Sequence, residues 1–373
     1  MPPFLSGDFM KPIGLYLHIP FCNGKCPYCD FYSVMPDSET VNNYVSTLCK
    51  KIDESGRIYD TVYFGGGTPS LIGSDNIAKI MSHINRTSDC ETTLECNPSD
   101  TGATNSCFDF DVIERSGINR ISMGLQSADN RERKALGRRG SCDDIKRAIE
   151  RARNAGIDNI SLDLMLGIPN QTVESLQKSI DFCKNSGAKH ISAYILKIEE
   201  KTPFYKIKSS LSLPDDDETC DLYLYAAKEL EKAGFYQYEI SNFSQNGFES
   251  RHNLKYWHCE EYLGLGASAH SFVDGKRFYY ERSIDNFIKG NSPISDGLGG
   301  DEEEYIMLSL RLSEGLIFEK YQTRFGKSLS ENIIAKAKKL MKHGFVRVTE
   351  NSISLTVNGF LVSNSVICEL LGY

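Results

Sequence analysis

The sequence predicts an α/β protein with a partial (β/α)6, TIM-like barrel as its core and a small winged-helix-like α+β module at its C-terminal end. Six short apolar, β-branched runs alternate with amphipathic helical patterns over the first two thirds of the chain. Strand–helix units repeated in this way favour a parallel sheet that curls into a barrel or part of one. After about Gly300 the pattern changes to two helices and a short hairpin.

Each predicted strand stops at a glycine, a proline or a polar cluster. The strands are IGLYLHI (13–19), DTVYF (60–64), TTLEC (92–96), RISMG (120–124), NISLDLML (159–166) and HISAYIL (190–196). The helical patterns between them cover residues 38–55, 74–85, 108–116, 142–155 and 173–186. A further helix is predicted from Asp215, because it opens with acids and closes on Gly234, as caps and the helix dipole prefer.

The pattern divides the chain into three expected regions: a core over residues 1–240, a connecting segment over 241–300 and a C-terminal domain over 301–373. The first residues, MPPFLSGDFMKP, lack the features of a signal peptide, and no apolar run approaches the about 18 residues of a membrane span. We therefore expect a cytoplasmic protein whose contact with a membrane is at most peripheral.

Charge and cysteine content narrow the functional classes. The net charge is −8 and no lysine-arginine tract stands out, so we expect no nucleic-acid partner. The chain has 12 cysteines, which a reducing compartment would keep as thiols. Cysteines clustered at metal-ligand spacing are then better interpreted as ligands than as crosslinks.

Unusual segments follow the predicted strands at the edge where chemistry gathers in parallel sheets, the carboxyl ends. A cysteine loop follows the first strand, GGGTP (65–69) the second, and ECNP (95–98) closes the third. GLQS (124–127) follows the fourth strand, and DLMLGIPNQT (163–172) closes the fifth. We expect these five segments to share one rim.

The cysteine loop places Cys22, Cys26 and Cys29 in a CxxxCxxC pattern. A structural zinc ion normally takes four protein ligands, and an electron-carrying iron-sulfur cubane takes four thiolates. Three thiols leave one iron open to a small chelating molecule, although a zinc site that borrows a distant cysteine or histidine is an alternative. Glycines in GGGTP permit a close backbone approach to a ligand, and Glu95, Gln126 and Asp163 supply polar groups at neighbouring strand ends.

Together, YLHIPFCNGKCPYCDFYS, YFGGGTPS, ECNP, RISMGLQS and DLMLGIPNQT resemble the oxygen-independent coproporphyrinogen III oxidase (HemN-like) branch of the radical S-adenosylmethionine (SAM) superfamily. The resemblance extends over essentially the whole chain and implies a [4Fe-4S] cluster, SAM and an electron donor for the cluster. It implies cluster ligands at Cys22, Cys26 and Cys29. It implies SAM contacts at Tyr16, Tyr28, Gly65, Gly66, Gly67, Thr68, Glu95, Gln126, Arg138 and Asp163, with Arg139 standing beside Arg138.

Two features indicate the subfamily. The pattern typical of the oxidases is CxxxCxxCxC, with a further cysteine two positions after the third. This chain has Phe31 at that position. The segment RHNLKYWHCEEYLGLGASAHS contains HNxxYW, a feature of the HemW heme chaperones. This resemblance implies heme contacts at His252, Asn253, Tyr256 and Trp257, with His258 and His270 as alternative ligands. GLGAS (264–268) is expected to be a loop near the cluster rather than a dinucleotide turn.

The resemblance implies a HemW-type chaperone that binds heme and delivers it to acceptor proteins such as respiratory cytochromes. The alternative is an enzyme, an oxygen-independent coproporphyrinogen III dehydrogenase that decarboxylates propionate side chains. A third interpretation is radical SAM methyl transfer or cyclopropanation on another substrate. Whether the chain is an enzyme stays open at this point, because all three share the SAM apparatus.

Overall fold

Six parallel strands form the centre of the protein and neighbour one another in their chain order. The computed structural model describes residues 11–103 and 106–373. The expectation that the first residues are not a signal peptide therefore falls largely outside the described residues. The strands are β1 (Ile13–Ile19), β2 (Tyr59–Gly66), β3 (Arg86–Cys96), β4 (Arg120–Gln126), β5 (Asn159–Leu166) and β6 (His190–Ile195). Helices separate them along the chain, which confirms the predicted α/β core.

Polar caps set the start of most of the helices that connect these strands. Asp37, Thr172 and Asp215 each accept a hydrogen bond from a backbone amide in the first helical turn. The helices are α1 (Ser38–Ser55), α2 (Ser74–Ser82), α3 (Pro98–Thr101), α4 (Phe110–Ser116), α5 (Asn130–Ala135), α6 (Cys142–Asn154), α7 (Val173–Ser186), α8 (Pro203–Lys206) and α9 (Asp216–Lys232). The predicted bounds of α1 and α7 agree with the structure, and those of α2, α4, α6 and α9 differ at their ends. The short helices α3, α5 and α8 were not among the predicted ones.

The two faces of the parallel sheet differ in polarity because side chains alternate along each strand. One face is apolar and packs into the main core, with side chains such as Val62, Leu94, Met123, Leu162 and Ile191. The opposite face is polar and lines a cavity, with side chains such as Tyr63, Glu95, Ser122, Asp163 and Ser192. The sheet thus encloses polar groups on the side that faces the barrel interior.

The sheet continues beyond both outer parallel strands into the connecting segment. Antiparallel strands β7 (Tyr236–Gln237) and β8 (Asn242–Ser244) extend it from β6. After α10 (Arg251–Trp257), strand β9 (Tyr262–Leu265) pairs with β1 in parallel, and antiparallel β10 (His270–Val273), β11 (Lys276–Tyr279) and β12 (Ile294–Leu298) follow, with α11 (Ile284–Ile288) between the last two. The predicted loop over residues 264–268 is therefore wrong for Gly264 and Leu265, which end β9.

The C-terminal module is built on a small three-stranded sheet in the order β13–β15–β14. Its elements are α12 (Glu302–Ser309), β13 (Leu316–Ile317), α13 (Phe318–Phe325), α14 (Glu331–Met341), β14 (Val346–Val348), β15 (Ser352–Leu355), α15 (Val357–Leu361) and α16 (Ser363–Leu371). Helices followed by the antiparallel β14–β15 hairpin agree with the predicted pattern. The division at residues 240 and 300 stays a prediction. In the described parts of the chain, no helix has the length and apolarity needed to span a bilayer.

A buried tyrosine joins the end of β1 to the loop that follows β9. The Tyr44 side chain on α1 is fully buried. Its hydroxyl donates to the carbonyl of His18 at 2.8 Å and accepts from the amide of Ala267 at 2.8 Å. One hydroxyl therefore satisfies two backbone groups at the rim of the sheet.

We predict that Tyr44→Phe lowers the free energy of unfolding by about 1–3 kcal/mol, because it leaves buried backbone groups without a partner. Urea unfolding of the protein in the absence of oxygen measures the change. The matched control is Tyr236→Phe, since Tyr236 is half-exposed and its hydroxyl has no hydrogen bond to a described residue. Equal stability of the two variants would contradict this role of Tyr44.

Candidate functional site

One cavity of about 950 Å³ occupies the polar side of the sheet. It extends from the loops at the carboxyl ends of the strands down to Arg120 and His190, the first residues of β4 and β6. The predicted site residues that line it are Tyr16, Cys22, Cys26, Tyr28, Cys29, Gly66, Gly67, Thr68, Glu95, Gln126, Arg138, Asp163, Asn253 and Tyr256. The expected gathering of motifs at one rim is thus present in the fold.

The cysteine loop is closed by backbone hydrogen bonds at its base. The amide of Val34 donates to Pro20 at 2.8 Å, and the amide of Cys22 donates to Val34 at 2.9 Å. Within the loop, the amide of Cys29 donates to Cys26 at 3.0 Å. The three thiols are free and partly buried, and all of them line the cavity. Their shared loop can present thiolates to one compact group.

The surroundings of these thiols suit an iron-sulfur cluster. The Thr68 hydroxyl donates to Cys22 Sγ at 3.7 Å, and Arg138 Nη1 donates to Cys26 Sγ at 3.7 Å. A hydroxyl and a cation complement the negative charge of thiolates. Among the described residues, no three histidine, cysteine or acidic side chains converge on a single-ion site. A cubane differs from such a site, because its thiolates bind separate irons.

The glycines of the loop after β2 allow it to close on the cysteine loop. A Cβ on Gly66, whose φ is 115°, would lie 2.7 Å from the His18 ring, and a Cβ on Gly67 would lie 2.5 Å from the Phe21 carbonyl. The amide of Gly67 donates to Ile19 at 2.9 Å, and that of Thr68 donates to Phe21 at 2.7 Å. These glycines therefore support the predicted ligand loop by a close approach of backbone to backbone.

Two partly buried carboxyl groups face the cavity, Glu95 from β3 and Asp163 from β5. Glu95 Oε1 accepts from the Tyr63 hydroxyl at 2.8 Å, and Asp163 Oδ1 accepts from the Ser122 hydroxyl at 3.4 Å. Desolvation by burial raises the pKa of Glu95 to about 7 and that of Asp163 to about 6. Both groups are suited to a cationic or hydroxyl-bearing ligand that enters the cavity.

The end of β4 carries backbone strain at a predicted contact residue. Gln126 has a φ of 66°, which side chains other than glycine rarely adopt, and its Oε1 accepts from the Tyr194 hydroxyl at 2.9 Å. Arg138 lines the cavity and donates to the Gly124 carbonyl at 2.7 Å. Arg139 is exposed and donates to the Asn23 carbonyl instead. The geometry separates the two arginines and places the predicted one at the cavity.

Two predicted aromatic contacts occupy different walls of the cavity. The Tyr16 hydroxyl lies 3.1 Å from His18 Nδ1, and burial raises the pKa of Tyr16. The Tyr28 ring packs against Phe204, with 6.1 Å between ring centroids. Tyr28 belongs to a small apolar cluster around Leu136 and Met165. This wall offers a flat apolar surface on which an adenine ring could stack.

The HNxxYW motif forms α10, which contacts the amino-terminal part of the sheet rather than the cysteine loop. Both nitrogens of the fully buried His252 are hydrogen bonded, Nδ1 to Thr61 Oγ1 at 2.9 Å and Nε2 to the Tyr256 hydroxyl at 2.7 Å. Desolvation lowers the pKa of His252 to about 3. Asn253 and Tyr256 line the cavity, whereas His252 and Trp257 do not. Iron binding by His252 stays a prediction. It would require one of its two hydrogen bonds, to Thr61 or to Tyr256, to break.

A buried arginine at the floor of the cavity was not predicted. Arg120 is 2% exposed, and Nη1 makes a 3.5 Å hydrogen bond to Thr93 Oγ1. Its Nε has no hydrogen-bond partner, and no described carboxylate forms an ion pair with it. The sequence signal was an arginine at the first position of a predicted buried strand, at the amino end of the sheet rather than at the carboxyl ends where site residues were expected.

Comparison with known proteins supports the sequence motifs. Residues 16–183 match the radical SAM superfamily, and residues 302–362 match the HemN C-terminal domain. The heme chaperone HemW of Bacillus subtilis is 35% identical, over 96% of this chain and 98% of that protein. HemW of Lactococcus lactis is 31% identical over 97% and 98% of the two chains, and HemW of Escherichia coli is 35% identical over 72% of each.

A solved structure agrees with the fold. Coproporphyrinogen III oxidase (HemN) from Escherichia coli, a radical SAM enzyme, matches with a TM-score of 0.80 and covers 97% of this chain and 90% of its own. Its sequence identity of 20% limits that likeness to the fold. The similarity to the HemW relatives extends over nearly the whole chain and therefore shows the family. The chain belongs to the HemW family, in the HemN-like branch of the radical SAM superfamily.

Proposed function

We propose that this protein is a heme chaperone that keeps a [4Fe-4S] cluster and a SAM site and delivers heme to acceptor proteins such as respiratory cytochromes. Full-length similarity to proteins named heme chaperone HemW supports the proposal. The proposed setting is the cytoplasm, with an electron donor for the cluster as a further partner. Contact with a membrane would be peripheral at most.

The observation that carries the proposal is the presence of Phe31 at the position where the oxidases of this branch have a further cysteine. The Phe31 side chain is 69% exposed and lines the mouth of the cavity, two residues after Cys29. A single exposed aromatic ring is common on protein surfaces, but this one lies at the opening of the cavity, where a flat ligand could stack on it. Heme is a large flat apolar molecule, so this ring suits heme better than it suits a thiol-dependent reaction.

The predicted site residues have defined roles in this proposal. Cys22, Cys26 and Cys29 would hold the cluster, and Thr68 and Arg138 would donate hydrogen bonds to their sulfurs. A cluster with an open iron can bind SAM and pass it an electron. Glu95, Gln126 and Asp163 would orient SAM through its polar groups. Tyr28 would cover the flat face of its adenine. Tyr16, Gly66 and Gly67 would shape the wall beside it, while Gly65 does not line the cavity and leaves room for the Tyr16 and Tyr63 rings.

An anaerobic comparison of two assays tests the proposed function against the oxidase alternative. Reconstituted protein is first given SAM, a low-potential reductant and coproporphyrinogen III, and products are followed by mass. It is then loaded with heme and mixed with a heme-free acceptor cytochrome. We expect heme transfer and no decarboxylated porphyrinogen. Decarboxylation without heme transfer would make this protein an oxidase despite Phe31.

We predict that Cys22→Ala, Cys26→Ala and Cys29→Ala each lose most of the iron-sulfur absorbance while the fold survives, because each thiol would hold a different iron. Visible absorbance and iron content after anaerobic reconstitution measure the cluster, and circular dichroism measures the fold. Cys368→Ala is the control, since Cys368 is exposed on α16 in the other module. A full cluster in any of the three variants would show that the ligands are misassigned.

We predict that SAM binds more tightly as the pH rises through 6 and 7, the pKa values of Asp163 and Glu95. Burial raises both pKa values, so each carboxyl group is protonated below its value and becomes an anion above it. The anions then attract the ammonium and sulfonium charges of SAM. Calorimetric titration of the reconstituted protein with SAM measures the affinity.

Glu95→Gln should flatten this pH dependence and weaken SAM binding chiefly on the alkaline side. The matched control is Glu199→Gln, because Glu199 also lines the cavity but pairs with the exposed Lys197 at 2.7 Å. An affinity that does not change with pH in the unsubstituted protein would contradict the role of the two carboxyl groups.

A further inference from the structure

The floor of the cavity holds a buried positive charge that no anion of the described residues contacts. Arg120 is 2% exposed and lines the cavity. Its Nη1 donates to Thr93 Oγ1 at 3.5 Å, while Nε and Nη2 make no hydrogen bond to a described residue. Burial of an unpaired charge is costly. A cavity that keeps such a guanidinium on its wall is suited to an anionic ligand.

The two carboxyl groups of the cavity start nearer to its rim than Arg120 does. Glu95 on β3 pairs with Ser122, which is two residues closer to the carboxyl ends of the strands than Arg120. Asp163 on β5 pairs with Gly124, which is four residues closer. At the usual rise of a strand these offsets are about 7 Å and about 13 Å. The register thus explains why neither carboxyl group forms an ion pair with the arginine.

The histidines around Arg120 do not share its charge. Both ring nitrogens of His190 and of His252 are hydrogen bonded, and both rings are buried. Burial lowers the pKa of each ring, and the positive charge of Arg120 lowers it further, so both rings are neutral near pH 7. The effect on His252 also shows that the guanidinium lies close to α10, whose Asn253 and Tyr256 line the same cavity.

We propose that Arg120 binds a propionate of heme at the cavity floor, beside α10 and below the proposed SAM contacts. The inference rests on the proposed function and names a group that recognises the carboxylates of heme. Because Thr93 engages only Nη1, the edge formed by Nε and Nη2 is left to donate two parallel hydrogen bonds to one carboxylate.

The carboxylate of SAM is a poor candidate for this subsite. In the proposed function SAM binds the open iron of the cluster at the cysteine loop, on the rim of the cavity. Arg120 and Gln126 are the first and last residues of β4, and six residues of a strand span about 20 Å. A second carboxylate-bearing ligand is therefore needed to reach the floor, and heme carries two propionates.

The test is titration of the full-length protein with ferric heme and with its dimethyl ester, in which both propionates are neutral, under identical solvent conditions. The unsubstituted protein should prefer heme over the ester by about tenfold or more, as expected for a hydrogen bond between charged groups. Arg120→Met should lose most of this preference. Comparing two ligands within each variant cancels general effects of the substitution on the fold. Arg311→Met is the matched control, because Arg311 is a partly buried arginine outside the cavity that donates to Ser363 and Asn364.

Arg120→Lys gives a second readout, because it keeps the charge but not the two-pronged edge, so its preference for heme should fall between those of the other two proteins. It also carries the test if Arg120→Met does not fold. At saturating heme the iron spectrum should be the same in every variant, since Arg120 would contact a carboxylate and not the iron. An unchanged preference in both Arg120 variants, or no preference in the unsubstituted protein, would overturn the inference and leave the proposed function intact. Failure of the unsubstituted protein to bind heme would overturn both.

Discussion

The site depends on the close backbone contact between the cysteine loop and the glycine loop of the neighbouring strand. The parallel pairing of β1 with β2 brings these loops to one edge. Hydrogen bonds from Gly67 and Thr68 to Ile19 and Phe21 then join them. A side chain at position 67 would collide with the Phe21 backbone, so the loops could not meet in this way. One contact thus positions both a hydroxyl beside Cys22 and the backbone groups that face a ligand.

The polar interior of the sheet imposes a second constraint, because buried ionisable groups without partners are costly. Glu95 and Asp163 accept hydrogen bonds from Tyr63 and Ser122, but burial still raises their pKa values, so each is less charged near neutral pH than an exposed carboxyl group would be. Arg120 forms no ion pair with a described residue, and its Nε lacks a hydrogen-bond partner there. A cavity that holds two such carboxyl groups and an arginine is organised for polar ligands. The apolar opposite face supplies the packing that stabilises this arrangement.

Much of the fold, and the gathering of the proposed SAM contacts, was predictable because the sequence signals are local. The bounds of β1 and α1 follow from an apolar run and an Asp37 cap, and parallel topology then places Cys22 and Glu95 on one rim. The extension by β9 to β12 was not predictable in the same way. Strand β9 has four residues and pairs with β1 from more than 200 positions away, so no local periodicity reveals it. Its hairpin is also what carries His270 to the cavity.

The position of HNxxYW shows why a motif does not by itself place a ligand. In α10 the imidazole of His252 fills the floor of the sheet, where Glu91 accepts hydrogen bonds from the amides of Arg251 and His252. Thr61, its partner, precedes the last residue of β2 by five positions, or about 17 Å along a strand. The aromatic and histidine residues of the motif can therefore be required for the shape of the cavity.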